Sequence, residues 1–487
     1  MMRRFSCAAF ALLSACSSSA TQPPEDDGPA VAAAQQLLAP SVRRLSVAEL
    51  SAAASTLIGI EIDLGPSLPP DARQFDFSRS LSQSVDATTL KQIDEAARLA
   101  ATLLPTQTNS DPTALVTALA RRAFRRAPTA EEVAGLKAVY DAGAEGGSAR
   151  EGAELLVRAL LGSPALLYET ALDSELSGDE LASQLSWLVA GRPPDEELSR
   201  AAAAGELRSG GVRRWQARRL LQNPRARFLY RRFVEEWLGL NRLRSLAKSS
   251  ALVDNFPALR ETMLDQTEAA IDDAFITANG SLQALFASGY GAPQRDGLLQ
   301  HESFLSTFSH EDGSAPVLRG KAVLERLLCR KLVPPSELGI DLVLPAPDPN
   351  ATTRERFDQH AARPGCAACH EQIDGVGFTF ENFDAIGGLR TEEAGKPVDS
   401  SGHLSLDGVD LQLADSVALS RAIASSQELE ECAARQLVRF AAGTKADAVE
   451  EDFVRATRGL PDADRTSILG LLLTYVQGDW FAKRSTP

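Results

Sequence analysis

Two cysteines three positions apart, with a histidine directly after the second, constrain this chain more than any other feature: Cys366-Ala367-Ala368-Cys369-His370. That spacing is the attachment pattern of a c-type haem. Each sulfur would add to one vinyl group of a porphyrin, and His370 would then lie under the iron as proximal ligand. The same residues admit a redox disulfide or part of a Cys/His zinc site. C-type haem is attached outside the cytoplasm, so the compartment bears on the choice.

Arg3 and Arg4 form a short basic region, and residues 5–13 are mainly apolar but too short to span a bilayer. Leu13-Ser14-Ala15-Cys16 follows, in the pattern of a bacterial lipobox. Cleavage before Cys16 would leave its thiol to carry a lipid that anchors the chain without spanning the membrane. An ordinary secretory signal cut nearby would export the chain just the same. Ser17 stands where an Asp would favour inner-membrane retention, so outer-membrane placement, facing periplasm or cell surface, is the expectation. Residues 17–40, rich in Ser, Thr, Pro, Gln, Glu, Asp and Ala, read as a flexible tether.

The chain holds six cysteines. Cys7 leaves with the signal, Cys16 takes the lipid, and Cys366 with Cys369 would take the haem. Cys329 and Cys432 remain, and exported chains seldom keep free thiols, so a disulfide between them is predicted.

Beyond the tether, the chain is long enough for several domains. No run of 18 apolar residues occurs, so no transmembrane helix is expected. A net charge of −15 argues against a nucleic-acid partner. Abundant Ala and Leu with only 6% aromatic residues suit helices. The expected fold is mainly α and multi-domain, with a loop-rich CxxCH module near the C-terminus. Its parts are a signal and lipobox at 1–16, the tether at 17–40, and an N-terminal helical domain at 41–110. A helical pair at 111–172, a helical domain at 173–310, the CxxCH domain at 311–410 and a C-terminal helical domain at 411–487 complete it.

Capping boxes mark helix starts at Ser46-Val47-Ala48-Glu49 and Thr129-Ala130-Glu131-Glu132, and Ser177-Gly178-Asp179-Glu180 caps another. Further helices are predicted at about 149–161, 213–222, 224–240, 257–278 and 281–287. No convincing alternating strand stands out in the region before residue 300. Trp187, Trp215 and Trp237 at helical positions read as core. The Arg-rich stretch from Arg213 to Arg232 reads as a solvated face paired with Glu235, Glu236 and other acids; an anionic partner or a lipid headgroup is the alternative.

In the last third, a helix opening at Arg319-Gly320 ends near Cys329, a Pro-rich stretch follows, and a short helix from Thr352 or Thr353 through His360 leads to Cys366. After His370, the glycines of the 373–387 loop allow close backbone approach. Phe378, Phe380 and Phe383 suit the wall of an apolar macrocycle, or equally a local core. A turn or hairpin is expected around Ser401-Gly402, and helices at 417–424, 427–441 and 463–476.

Arg319-Gly320 with Leu327-Leu328-Cys329 and Pro334-Pro335, the Thr353–Arg356 segment with His360, the CxxCH, and Gly377-Phe378 with Glu381-Asn382-Phe383-Asp384 carry a resemblance. Together they resemble the planctomycete-type cytochrome c proteins, exported multi-domain proteins also common in myxobacteria and assembled from domains of unknown function. Arg44-Leu45-Ser46, Arg122–Arg126, Ser163-Pro164 with Tyr168, and Glu180–Ser183 extend it over nearly all the mature chain, and the Cys432 to Phe440 helix fits the family's C-terminal domain. Asp374-Gly375 departs from the family, which usually shows Asp-Pro there.

The resemblance implies one covalent haem c at Cys366, Cys369 and His370. For the sixth iron position, His360 matches a His the family commonly carries, though it could instead cap a helix or bond a propionate. His301, His310, His403 and Met263 are the other candidates, and Arg390 or Arg363 could pair a propionate. The expected function is single-electron transfer at the cell envelope, with a redox or envelope protein as partner and the membrane held through the lipid. The alternative is an envelope scaffold whose Cys/His site is structural. No Gly-x-Ser-x-Gly, His-Glu-x-x-His or P-loop pattern points to a catalyst.

Overall fold

The computed structural model describes residues 28–105, 111–289, 295–333, 337, 348, 350–361 and 367–486; of residues 358–361 and 367–369 it describes the backbone alone. The fold is mainly α-helical and multi-domain. The signal, Cys16, the Pro-rich stretch, Arg363 and Cys366 lie outside the described residues.

The N-terminal part opens with strand β1 (Ser41–Arg44) and helices α1 (Val47–Ile58), α2 (Ala87–Thr102) and α3 (Pro112–Phe124). Then come α4 (Ala130–Ala144), α5 (Ala149–Leu161), α6 (Pro164–Leu167) and strand β2 (Tyr168–Ala171). Ser46 with Glu49 and Thr129 with Glu132 close their capping boxes in both directions, as does Ser148 with Glu151 at α5. Leu45, Leu50, Leu57, Val116, Leu156 and Leu160 are buried in one core spanning the expected 41–110 and 111–172 domains, and Trp187 from the next helix joins it.

The antiparallel pair of β1 and β2, with Arg43 opposite Glu169, corrects the expectation of no strand before residue 300. Three of its four buried residues, Arg43, Arg44 and Glu169, are charged, so apolar alternation never marks it. Arg43 donates to Glu49 Oε2 at 2.6 Å and to Glu169 Oε2 at 2.6 Å, all three buried, and Arg79 reaches Glu169 at 3.2 Å. Burial alone would push the Glu49 carboxyl up; Arg43 beside it outweighs that and holds it at about 2.

A second, larger core is built from α7 (Gly178–Val189), α8 (Glu196–Ala203), α9 (Gly210–Leu221), α10 (Pro224–Leu238), α11 (Phe256–Ala278), α12 (Leu282–Ala287), α13 (Glu302–Thr307) and α14 (Pro316–Ala322). The chain goes on through α15 (Thr353–Ala361), α16 (Ala367–Gly377), β3 (Glu392–Glu393), β4 (Lys396–Pro397), β5 (Gly402–Leu406) and β6 (Val409–Leu413). It ends in α17 (Ser416–Ala424), α18 (Gln427–Ala442), α19 (Asp447–Thr457), α20 (Asp462–Arg465), α21 (Ile468–Gln477) and α22 (Asp479–Ala482). Residues from both ends of this list, such as Trp237, Phe304, Phe380, Phe453 and Trp480, share the second core.

The arginine-rich stretch is a solvated face only in part: Arg218 is exposed and Arg232 pairs with Glu236 as expected, while others are buried. Arg213 and Arg214 are 2% and 1% exposed. Arg213 donates to the carbonyls of Val476 and Gln477, both at 2.7 Å, and so closes the C-terminal end of α21. Arg219 pairs with Asp195 and Arg231 with Glu268 and Asp272. The cluster stitches helices together. Trp187 and Trp237 are buried and Trp215 half-buried.

Four further features differ from expectation. The tether stretch is engaged from Pro29 onward: Gln477 donates to the Pro29 carbonyl, Val31 and Ala34 pack on the larger core, the amides of Gln35 and Gln36 donate to Asp452, and Leu38 pairs with Arg484. The helix expected from Arg319 begins at Pro316 and widens into a π-turn at Val323–Leu327. The hairpin turn lies at Asp407-Gly408, both in the left-handed region, rather than at Ser401-Gly402, because only that pair supplies the positive φ values a two-residue turn requires. The helix expected at 463–476 is split in two, since Ser467 caps α21 by accepting from the Gly470 amide. Cys329 and Cys432 are joined by a disulfide, with Cα atoms 5.4 Å apart.

Candidate functional site

The CxxCH motif leads into α16, whose backbone starts at Ala367 and carries His370 within its first turns. Four glycines let this helix sit against its neighbours. A Cβ on Gly320 of α14 would come within 2.2 Å of the Ile373 carbonyl, and one on Gly377 within 2.1 Å of the Pro316 carbonyl. On the other side, Gly375 faces the His403 carbonyl and Gly402 faces the Gly375 carbonyl. Any side chain at these positions would push α16 off α14 and β5. Ile373 and Val376 meanwhile anchor it in the main core.

One turn beyond His370, Asp374 turns its carboxylate to the imidazole. Its two oxygens lie 3.1 and 3.0 Å from His370 Nδ1. The side chains are 14% and 8% exposed, so water does little to weaken the contact. The hydrogen bond that Nδ1 donates to Asp374 raises the imidazole pKa above its ordinary value.

The loop after α16 is held by Arg319, which is fully buried. Its guanidinium donates to the carbonyls of Phe380 at 3.1 Å, Phe383 at 3.0 Å, Leu305 at 3.3 Å and Asp384 at 2.5 Å. Asp384 in turn accepts from the amides of Ile386 and Gly388. Arg390 is engaged inside the protein, with Glu381 at 2.7 Å and Glu393 at 3.1 Å.

Phe380 is fully buried with its ring 6.1 Å from that of Phe304, and Phe383 lies under the Arg295 guanidinium. These two belong to the protein's own core. Phe378 is covered by the Arg354 guanidinium, 4.2 Å from its ring centre. Beside Arg354 a cavity of about 190 Å³ is lined by Thr352, Glu381, Glu393 and Lys396 among others. That lining is charged and does not suit a porphyrin face.

Among the other residues singled out by sequence, Met263 is buried in a small cluster with Leu243, Phe256 and Leu264, and accepts from Ser306 Oγ. His301 contacts Thr267, and burial lowers its pKa to about 4. His403 is exposed on β5 beside Gly375. The side chains of Cys369 and His360 lie outside the described residues, as does Cys366. Asp374 is the site residue that sequence reading passes over, although its spacing of four from His370 on a helix is a readable signal. Among the described residues, no group of three or more His, Cys, Asp or Glu side chains gathers as a metal site.

Four family models match in succession. Residues 43–104 match PSD3, a protein of unknown function (DUF1587), and residues 113–170 match PSD5, a protein of unknown function (DUF1595). Residues 176–295 match PSD4, a protein of unknown function (DUF1592), and residues 295–393 match PSCyt3, a protein of unknown function (DUF1588). The chain belongs to the planctomycete-type cytochrome c family. Within this cytochrome-like architecture the PSCyt3 match contains α14, the CxxCH, α16 and the Arg319-bound loop. Neither a curated protein nor a solved structure matches the chain. Among the described residues, no helix is long and apolar enough to cross a membrane.

Proposed function

We propose that this cytochrome-like protein is an exported, lipid-anchored carrier of single electrons at the cell envelope, with one haem c on Cys366, Cys369 and His370. The observation that carries the reading is the CxxCH leading into a helix clamped between α14 and β5, with His370 held by a buried carboxylate. The donor set suits the group: two thiols for thioether bonds and an imidazole whose Nδ1 is engaged, so that Nε2 is the nitrogen for iron. Bound there, haem supplies a one-electron iron couple.

The chain's own residues have three tasks. Cys366 and Cys369 would hold the macrocycle through thioether bonds. His370 would supply an imidazole nitrogen to the iron, and the glycine contacts of α16 hold the helix that carries it in place. Arg319 holds the following loop in one conformation and so limits reorganisation around the site. His360 is proposed as sixth ligand, and Phe378 as the edge of the haem wall. A lipid on Cys16 would hold the protein at the outer membrane, where a redox protein of the envelope is the proposed partner.

Haem-stained denaturing gels test the central claim, because thioether-bound haem survives denaturation. Protein matured with a cytochrome c assembly system is expected to carry the mass of one haem and a Soret band. A colourless product of bare polypeptide mass overturns the reading and leaves an anchored scaffold. His360→Ala with an unchanged spectrum rejects His360 as ligand. Cys16→Ser is expected to release the protein from the membrane fraction.

A further inference from the structure

We propose that Asp374 is the positioning residue of the iron site: it turns His370 so that Nε2 faces the metal, and its charge on Nδ1 holds the reduction potential down. The inference rests on the haem reading above.

Both carboxylate oxygens lie 3.0–3.1 Å from Nδ1. An imidazole that donates from Nδ1 presents its lone pair at Nε2, so this contact selects the tautomer that iron requires. An exposed pair at this helical spacing would have little consequence. Here Asp374 is buried and His370 half-buried, and their helix cannot rotate: Gly320, Gly377, Gly375 and Gly402 fix α16 on two sides by backbone contact. The ring is therefore held by its backbone and by its partner at once.

A buried anion on the far nitrogen makes the ligand more basic. Greater donation favours ferric over ferrous iron, which lowers the potential. Asp374 would touch neither haem nor partner; it would act through His370.

The test uses the full chain matured with haem, with Asp374→Asn compared to wild type by spectroelectrochemical titration. Asn keeps the size and an acceptor oxygen but removes the charge. Haem retention with an upward shift of about 59 mV, tenfold in the one-electron equilibrium, is the expected result. Retained haem with an unmoved potential overturns the proposal and leaves the haem reading standing. A wild type without haem removes both, and is seen before any variant is made. Should Asp374→Asn fail to take up haem, proton NMR of the reduced wild type decides. A His370 Nδ1 proton far downfield and slow to exchange supports the pairing; one exchanging like that of an open imidazole overturns it.

Discussion

Two buried arginines, one in each core region, solve the same problem in opposite ways. Arg43 in β1 meets two carboxylates, Glu49 and Glu169, with Arg79 completing a four-charge cluster. Burial draws Arg43 down, but the two acids more than offset it and leave its pKa above the ordinary value. Arg319 in α14 spends its donors on backbone carbonyls, three in the loop after α16 and one, Leu305, in α13. Burial therefore dominates and lowers its pKa to about 10, still charged at neutral pH. The first arrangement joins distant segments through charge: Arg79 also donates to the carbonyls of Phe440 and Ala441 in α18. The second fixes the loop beside the His370 helix by hydrogen bonds to carbonyls rather than by direct ion pairs.

The largest expected effect is at the first cluster. Glu49→Ala leaves Arg43 and Arg79 sharing one carboxylate in a buried site and should cost about 3–5 kcal/mol, read by urea denaturation. A loss below 1 kcal/mol would mean that water reaches the cluster.

Acid is the next probe. The Glu49 carboxyl titrates at about 2 in the folded chain against an ordinary 4.5. Its stabilisation is therefore complete above pH 4.5 and is lost as pH falls toward 2, for a total of about 3 kcal/mol. Glu49→Gln should flatten that acid slope; an identical slope would assign it elsewhere.

Arg319→Met keeps much of the volume and removes the donors. The carbonyls lose their donor while buried Glu381 keeps Arg390 as its ion-pair partner, so the cost should be smaller, about 2–3 kcal/mol. Amide exchange should quicken in residues 380–388 and stay unchanged at β1. Uniform quickening would dissolve the contrast between the two regions.

The smallest effect is at the seat of α16. Gly375→Ala places a Cβ 2.7 Å from the His403 carbonyl and must displace β5, at about 1–2 kcal/mol by thermal melting. Increased stability would show that β5 yields freely.

The helices were legible where a capping box or a glycine stop wrote their ends: α1, α4 and α7 start as the sequence predicts. The α19 helix has no side-chain cap bond at Ala446 and went unread. β1 was hidden because its buried side chains are arginines, which periodicity counts as surface. The Asp407-Gly408 pair was a readable turn signal eclipsed by Ser401-Gly402. At the site, the motif and the Arg319-Gly320 and Glu381–Asp384 segments stand out in sequence. What those segments do is a matter of tertiary contact: Arg319 binding one loop from another helix, and Gly320 meeting Ile373. Spacing alone conveys neither.

The bond between Cys329 and Cys432 closes a ring of chain, with a sequence separation of 103, that contains the Pro-rich stretch, the CxxCH and the hairpin of β5 and β6. A protease that nicks this ring once cannot liberate a fragment. The two pieces would migrate together until a reductant is added, and a porphyrin stitched at Cys366 and Cys369 would remain tethered to the rest of the molecule after such damage.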